Sequence, residues 1–471
     1  MTLNTTTTAR ALSALVQARG VTAAAVAEHF ITRVEALNPA LNALVQFHPD
    51  QVRADAADVD RRLAAGAKLP LAGVPLTVKD NVWVAGYVQQ QGSRLFDGFV
   101  APRDAWVVGR LKALGAVVLG ITNCSEFACK GNTVNLVYGA TRHPHDPTLT
   151  PGGSSGGAAA ALAAGLGLLA IATDAGGSVR RPAAHTGLVG LKPSPGLIPH
   201  PWGFAEPNYG LSVIGLLGRD VGDVAWLFDL LIAFDASDPS APPLPVGLGA
   251  GELQTPSRDL RIGWSPRLGC GFAVDNDVAT TLQARVDTLR TQGWNIADAD
   301  PVWPDGAREY PLIKLQHAGL HALYGHHLVA DRHLIDPDLV AQIELGGSVT
   351  AADLAAALRM RERITRALAV YFDSFDLLLT PTAPVTAWPV DQLAPPLIEG
   401  QPASYRGHAA FTPLFNYAGV PALSVPAGLV RGLPVGMQVI APRYEDARVL
   451  QFSAVLEEHS ARRVPSTVLP G

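Results

Sequence analysis

Residues 151–178 read PGGSSGGAAAALAAGLGLLAIATDAGGS. Four segments of different local structure follow one another in this stretch. Residues 152–157 set four glycines around Ser154 and Ser155, which lets the backbone approach a ligand closely and take conformations closed to other residues. Residues 158–165 have helical composition, 166–172 are apolar enough for a buried strand, and 173–178 turn into the start of a short helix. Glycine-rich loop, helix, strand, turn and helix in succession predict an α/β fold.

Outward from there the alternation continues. GVPLTV (73–78) reads as a short buried strand followed by the turn formers Lys79, Asp80 and Asn81. A helical pattern over 105–114 runs into the buried strand VVLGIT (117–122). Upstream, the spacing predicts a helix over 22–37 with Thr22 as N-cap, closed by Asn38-Pro39, and a second over 50–65 ending at Gly66. Downstream come helices over 220–234, 277–290 and 351–372, and strands at 260–264 and 376–384. Residues 235–258, rich in Pro, Ser, Gly and Asp, are the best candidate boundary or excursion.

Composition narrows the function. With 48% hydrophobic and 16% charged residues, the 471-residue chain has material for a large core and is not disordered. The net charge of −5 and the lack of a dense Lys/Arg run argue against a nucleic-acid partner. Three cysteines imply no disulfide framework and fit a reducing compartment. The uncharged run 147–173 approaches the length of a membrane span. Pro151, the glycines and the alanine-rich apolar content argue against one, so a cytoplasmic protein is expected.

Three features can carry chemistry. Lys79 follows an apolar strand; buried there, it would lose its charge readily because desolvation lowers a lysine's pKa. Exposed, it would be an ordinary surface charge. The glycine loop lacks the Gly-Lys-Ser/Thr of a phosphate cradle. Its Gly153–Gly157 segment satisfies G-x-S-x-G with Ser155 as nucleophile, but a loop with Pro147 and Pro151 precedes it where that motif needs a buried strand. In TDAGGS, backbone N–H groups at a helix start can receive an anion, and Ser178 can attack a carbonyl whose oxygen sits there. Ser178 as a simple N-cap is the competing reading.

Jointly, GVPLTVKDN, PGGSSGG, TDAGGSVRRPA and GLVGLKPS closely resemble the amidase-signature enzymes. ITNCSEF, YGATRHPHD, FNYAGVPALSVPAG and GLPVGMQVIAP extend the match over most of the chain. The resemblance implies a single α/β amidase-signature domain with a large twisted mixed β-sheet flanked by helices on both faces. Its parts would be N-terminal helices 8–66, catalytic core 70–234, excursion 235–258, a variable helical region 265–375 covering the substrate entrance, and a C-terminal return 376–471. It implies a Ser–cis-Ser–Lys triad: nucleophile Ser178, bridging Ser154 with a cis bond to Gly153, and Lys79 as neutral base. Ala175, Gly176, Gly177 and Ser178 would supply the oxyanion-hole N–H groups, with Asp174 and Arg180 as organisers of the loop. Ala128 and Cys129 fall where relatives line the acyl pocket.

The implied activity is hydrolysis of small amides, with aryl amides, carbamates or esters as further substrates, without cofactor or metal. The aromatic content of the variable segments leans towards an uncharged or aryl substrate, with the loop 200–209 and its Trp202, Phe204 and Tyr209 expected at its entrance. His317, His321, His326 and His327 lack an HExxH pattern and read as a half-buried cluster. The competing function is the amidase component of a tRNA-dependent amidotransferase. A homodimer is compatible with either.

Overall fold

The computed structural model describes residues 7–242 and 251–458. Within them, one sheet contains eleven strands: β1 (Leu44–Gln46), β2 (Pro75–Lys79), β3 (Val117–Thr122), β4 (Leu169–Asp174), β5 (Val189–Lys192), β6 (Val213–Gly218), β7 (Ile262–Trp264), β8 (Ile296–Asp298), β9 (Leu377–Pro381), β10 (Ala422–Val430) and β11 (Leu433–Ile440). Their order across the sheet is β1-β3-β2-β4-β6-β5-β10-β11-β9-β7-β8. β2 runs parallel to β3 and β4, while β6, β5, β10 and β11 pair antiparallel, so the sheet is mixed.

Alternation along β4 shows how the two faces differ. Leu169 and Ile171 join the main core with Val224, Leu227 and Phe228 of helix Val221–Leu231. Ala170 and Ala172 face the other way, against Ala158, Ala159, Leu162 and Ala183 of helices Gly156–Ala163 and Arg180–Thr186. The small side chains on this second face let those two helices approach closely. A Cβ at Gly190 of β5 would lie 2.7 Å from that of Ala183, and one at Gly215 of β6 would lie 2.7 Å from Val179 Cγ2. Native packing density leaves no room for such additions.

This layer positions the site. Parallel pairing puts Val78 of β2 opposite Ile171 of β4, so Lys79 and Thr173 emerge together at the C-terminal edge of the sheet. Ligands commonly bind at that edge in α/β structures.

Most predicted elements form with ends shifted by a few residues. One helix differs more: Ala23–Leu41 continues through Pro39 and stops at Asn42, whose φ of 51° is left-handed. Thr22 does cap its start, accepting from Ala25 N–H. Residues 235–242 of the Pro-rich excursion fold back against the loop that follows β5: Asp238 accepts from His200 N–H, and Ser240 lies against Gly196. Residues 243–250 of that excursion and 459–471 of the C-terminal return lie outside the described residues. Among the described residues, no helix is long and apolar enough to cross a membrane.

Candidate active site

The strand end, the glycine loop and the second turn converge. Lys79 is completely buried; its Nζ donates to Ser154 Oγ (2.7 Å) and to Thr173 Oγ1 (3.2 Å). Asn81 Nδ2 donates to the same threonine oxygen at 2.9 Å. Burial, against weaker opposing charges, brings the Lys79 pKa down from 10.5 to about 8. The Gly153–Ser154 peptide is cis. Thr133 holds this loop, donating to Gly152 O and accepting from Gly156 N–H, both at 2.9 Å. Gly157 is needed for close passage: a Cβ there would meet the backbone of Asn123 at 2.5 Å.

Ser154 and Ser178 line the same depression, of about 420 Å³. Ser178 is 8% exposed whereas Lys79 and Ser154 are 0%, so of the three the terminal serine alone meets solvent. Ser155 is also fully buried, with its hydroxyl 3.5 Å from Thr173 O, and lines neither depression at the site. The G-x-S-x-G reading with Ser155 as nucleophile therefore lacks an exposed nucleophile.

The turn carrying Ser178 is braced from beneath. Asp174 accepts from Gly177 N–H (2.7 Å), Val179 N–H (3.2 Å), Arg180 Nε (3.0 Å) and Asn416 Nδ2 (3.0 Å). Arg180 donates in turn to Gln438 Oε1 (2.6 Å), Thr412 O (3.1 Å) and Asn416 Oδ1. Burial works against the Asp174 charge, but Arg180 and the converging donors hold its carboxyl well below the usual range. Both groups are fully enclosed. Arg180→Leu would strand that carboxylate, with an expected loss of about 3–5 kcal/mol of unfolding free energy in a urea titration. A loss below about 1 kcal/mol would mean the pair does not brace the turn.

Among the expected oxyanion donors, Gly177 differs: its N–H is engaged by Asp174. The N–H groups of Ala175, Gly176 and Ser178 have no such partner among the described residues. Gly177 has another requirement, since at φ +107° a Cβ would run into Thr412 Oγ1.

A second, larger depression of about 730 Å³ reaches Ser178 and is lined by Ala128, Cys129, Gly176, Arg181, Tyr310 and Arg406. Burial pushes the Cys129 thiol up to about 12, so it stays protonated. Trp202 does not join this lining. It is 42% exposed beneath the Arg103 guanidinium, and Phe204 of the same loop faces the smaller depression instead. The variable helical region contributes Tyr310, Ile313 and Gln316. Of its histidines, His317 and His327 are half-buried and His321 and His326 exposed. His321 Nδ1 meets Ile343 O, while the His326 and His327 rings lie 4.0 Å apart and His327 Nδ1 meets Asp331.

Sequence reasoning missed Thr173, Asn81, Arg181, Arg406, Thr412, Asn416 and Gln438. Thr173 opens the TDAGGS turn, so its position at least was marked. The C-terminal residues lie 231 or more positions from the turn they hold, so local pattern carries no sign of them.

A buried amine–hydroxyl pair beside a second, accessible serine and open backbone N–H groups defines an α/β protein equipped for carbonyl chemistry. The chain belongs to the amidase signature family: the amidase family model matches residues 25–450. It is 35% identical to a glutamyl-tRNA(Gln) amidotransferase subunit of Symbiobacterium thermophilum, over 96% of this chain and 97% of that protein. An acylamidase of Rhodococcus erythropolis is also 35% identical, over 92% and 91%. Among solved structures, a bacterial aryl acylamidase of the same family superimposes with a TM-score of 0.88 at 29% identity, covering 96% of both chains.

Proposed function

We propose that this protein is a stand-alone hydrolase cleaving the C–N bond of small amides, aryl amides included, through a serine acyl-enzyme. The observation that carries the reading is the fully buried Lys79 Nζ, 2.7 Å from Ser154 Oγ in the depression that Ser178 enters. Neutral Lys79 draws a proton from Ser154, which takes that of Ser178 as its oxygen attacks the carbonyl carbon. The carbonyl oxygen becomes an oxyanion received by the N–H groups of Ala175, Gly176 and Ser178. Collapse breaks the C–N bond, and the proton returns through Ser154 to the departing nitrogen. Water, activated by the same path, then releases the acid. Cytoplasmic location, and turnover of carbamates or esters by the same acyl transfer, belong to this reading.

The test is hydrolysis of a panel of amides, anilides, carbamates and esters, with kcat/KM followed against pH. The base acts deprotonated, and burial lowers its pKa, so activity is absent at low pH and rises through about 8 to a plateau. At pH 6 the rate is expected about 100-fold below that plateau. A profile flat from pH 6 to 9 would remove Lys79 from the role of base.

The amidotransferase reading is favoured by one observation, the 35% identity to such an enzyme's component over nearly its whole length. It predicts a stable complex with partner proteins and glutaminase activity that depends on them. Full turnover of amides by the isolated chain favours the stand-alone enzyme.

A further inference from the structure

Ser178 stands between two depressions of unlike chemistry. The smaller contains Ser154, Thr173, Asn81, His200 and Glu206 beside Phe127 and Phe204, with no Lys or Arg. The larger is lined by Lys130, Arg181 and Arg406, and by no Asp or Glu. Lys130 is already compensated, 2.6 Å from Asp336 and 3.2 Å from Asp338. The two arginines are not: none of the ion pairs among the described residues involves either one.

Arg181 is the more unusual. It is buried at 6% exposure and donates to neutral oxygens alone: Gly176 O (2.7 Å), Gly153 O (3.2 Å) and Thr412 Oγ1 (3.4 Å). Its Nε has no hydrogen-bond partner among the described residues. His408, buried in the same lining, also leaves its Nδ1 without one. A fold seldom encloses a guanidinium outside any ion pair and with an idle donor, because bonds to neutral oxygens offset only part of its lost hydration; the nearby Asp174 carboxylate is already held by Arg180. Arg406, half-buried nearby, has a single long bond to Gln342 (3.4 Å) and its guanidinium 5.6 Å from the Tyr405 ring centre. The missing partner for both is an acceptor oxygen with negative charge, arriving with the substrate.

Which half of the substrate brings it follows from the proton path, so the inference rests on the serine reading above. The departing nitrogen must receive its proton from Ser154, and Ser154 lines the smaller depression alone. The amine half therefore lies among Phe127 and Phe204, and the acyl half extends into the larger depression. We propose that the acyl half carries a carboxylate seated between Arg181 and Arg406, so that the substrates are half-amides of short dicarboxylic acids. The leaning of the sequence towards an uncharged or aryl group then holds for the amine half.

The experiment compares kcat/KM for two p-nitroanilides, of succinic acid and of butyric acid, in wild type and Arg406→Gln. Wild type is expected to prefer the succinyl compound by about 30-fold or more, and Arg406→Gln to shrink that ratio by about tenfold. Arg181→Met should also shrink it. Because Arg181 also holds two loop carbonyls, the Arg406 variant carries the comparison. Equal kcat/KM for the two anilides in wild type, or a ratio unchanged in Arg406→Gln, overturns the proposal. Binding supplies a readout independent of turnover: free succinate should raise the melting temperature of Ser178→Ala, and butyrate at equal concentration should not. Equal shifts with the two acids overturn it as well. Hydrolysis of both anilides that survives Ser178→Ala is a different failure, that of the serine mechanism.

Discussion

Ser178→Ala is expected to lower amide turnover by roughly 10⁴–10⁶-fold, the loss met when a nucleophile is removed from a constellation that acts as a unit. The variant keeps the oxyanion N–H groups and both depressions, so a small residual rate and nearly unchanged substrate binding should remain. Stability should hardly change. Asp174, Arg180 and Asn416 organise the turn through groups other than the Ser178 hydroxyl. Steady-state kinetics alongside thermal melting checks both halves, and a burst of released amine in wild type, absent from the variant, would reveal the acyl-enzyme. A variant retaining more than about a tenth of wild-type activity would rule Ser178 out as nucleophile.

Lys79→Met should be nearly as inactive, by about 10³–10⁴-fold, because the proton relay loses its terminus. Its effect on stability is the more telling result. The folded-state pKa lies below the unfolded value, 10.5 falling to about 8, so the buried charge burdens the fold by about 3 kcal/mol at pH 7. That penalty is present below pH 8 and disappears as the pH rises from there towards 10.5. Methionine removes it while leaving Ser154 Oγ and Thr173 Oγ1 short of one donor, a loss of about 1–3 kcal/mol. The two terms nearly cancel at neutral pH, so the variant should melt within a few degrees of wild type. A large drop in melting temperature at pH 7 would identify Lys79 as a structural residue instead.

Much of the site is legible in the sequence because its elements are short-range. A strand ending at Lys79, a glycine loop around Ser154 and a turn ending at Ser178 each follow from composition within a few residues. Glycine is required where the chain must pass close to another backbone, as at Gly157 against Asn123, and that demand is visible locally. The helix through Pro39 escapes local reading. Pro39 lies in the last turn, where it forfeits one backbone hydrogen bond, and continuing the helix past it buries Leu41. Gly177 reads as one more oxyanion donor because nothing local reveals that the Asp174 side chain turns back onto its N–H.

Sequence alone determined the α/β character, the family and the short motifs that carry Lys79, Ser154 and Ser178, because each rests on a local pattern in a fixed order. Only the tertiary structure decided the rest. It placed Phe204 of the 200–209 loop within the lining and Trp202 outside it, supplied Asn416 and Gln438 to brace Arg180 from more than 200 residues away, and left Arg181 and Arg406 without an ion pair among the described residues. The physical reason is that burial and charge pairing depend on which distant segments the core brings together. No local spacing encodes that.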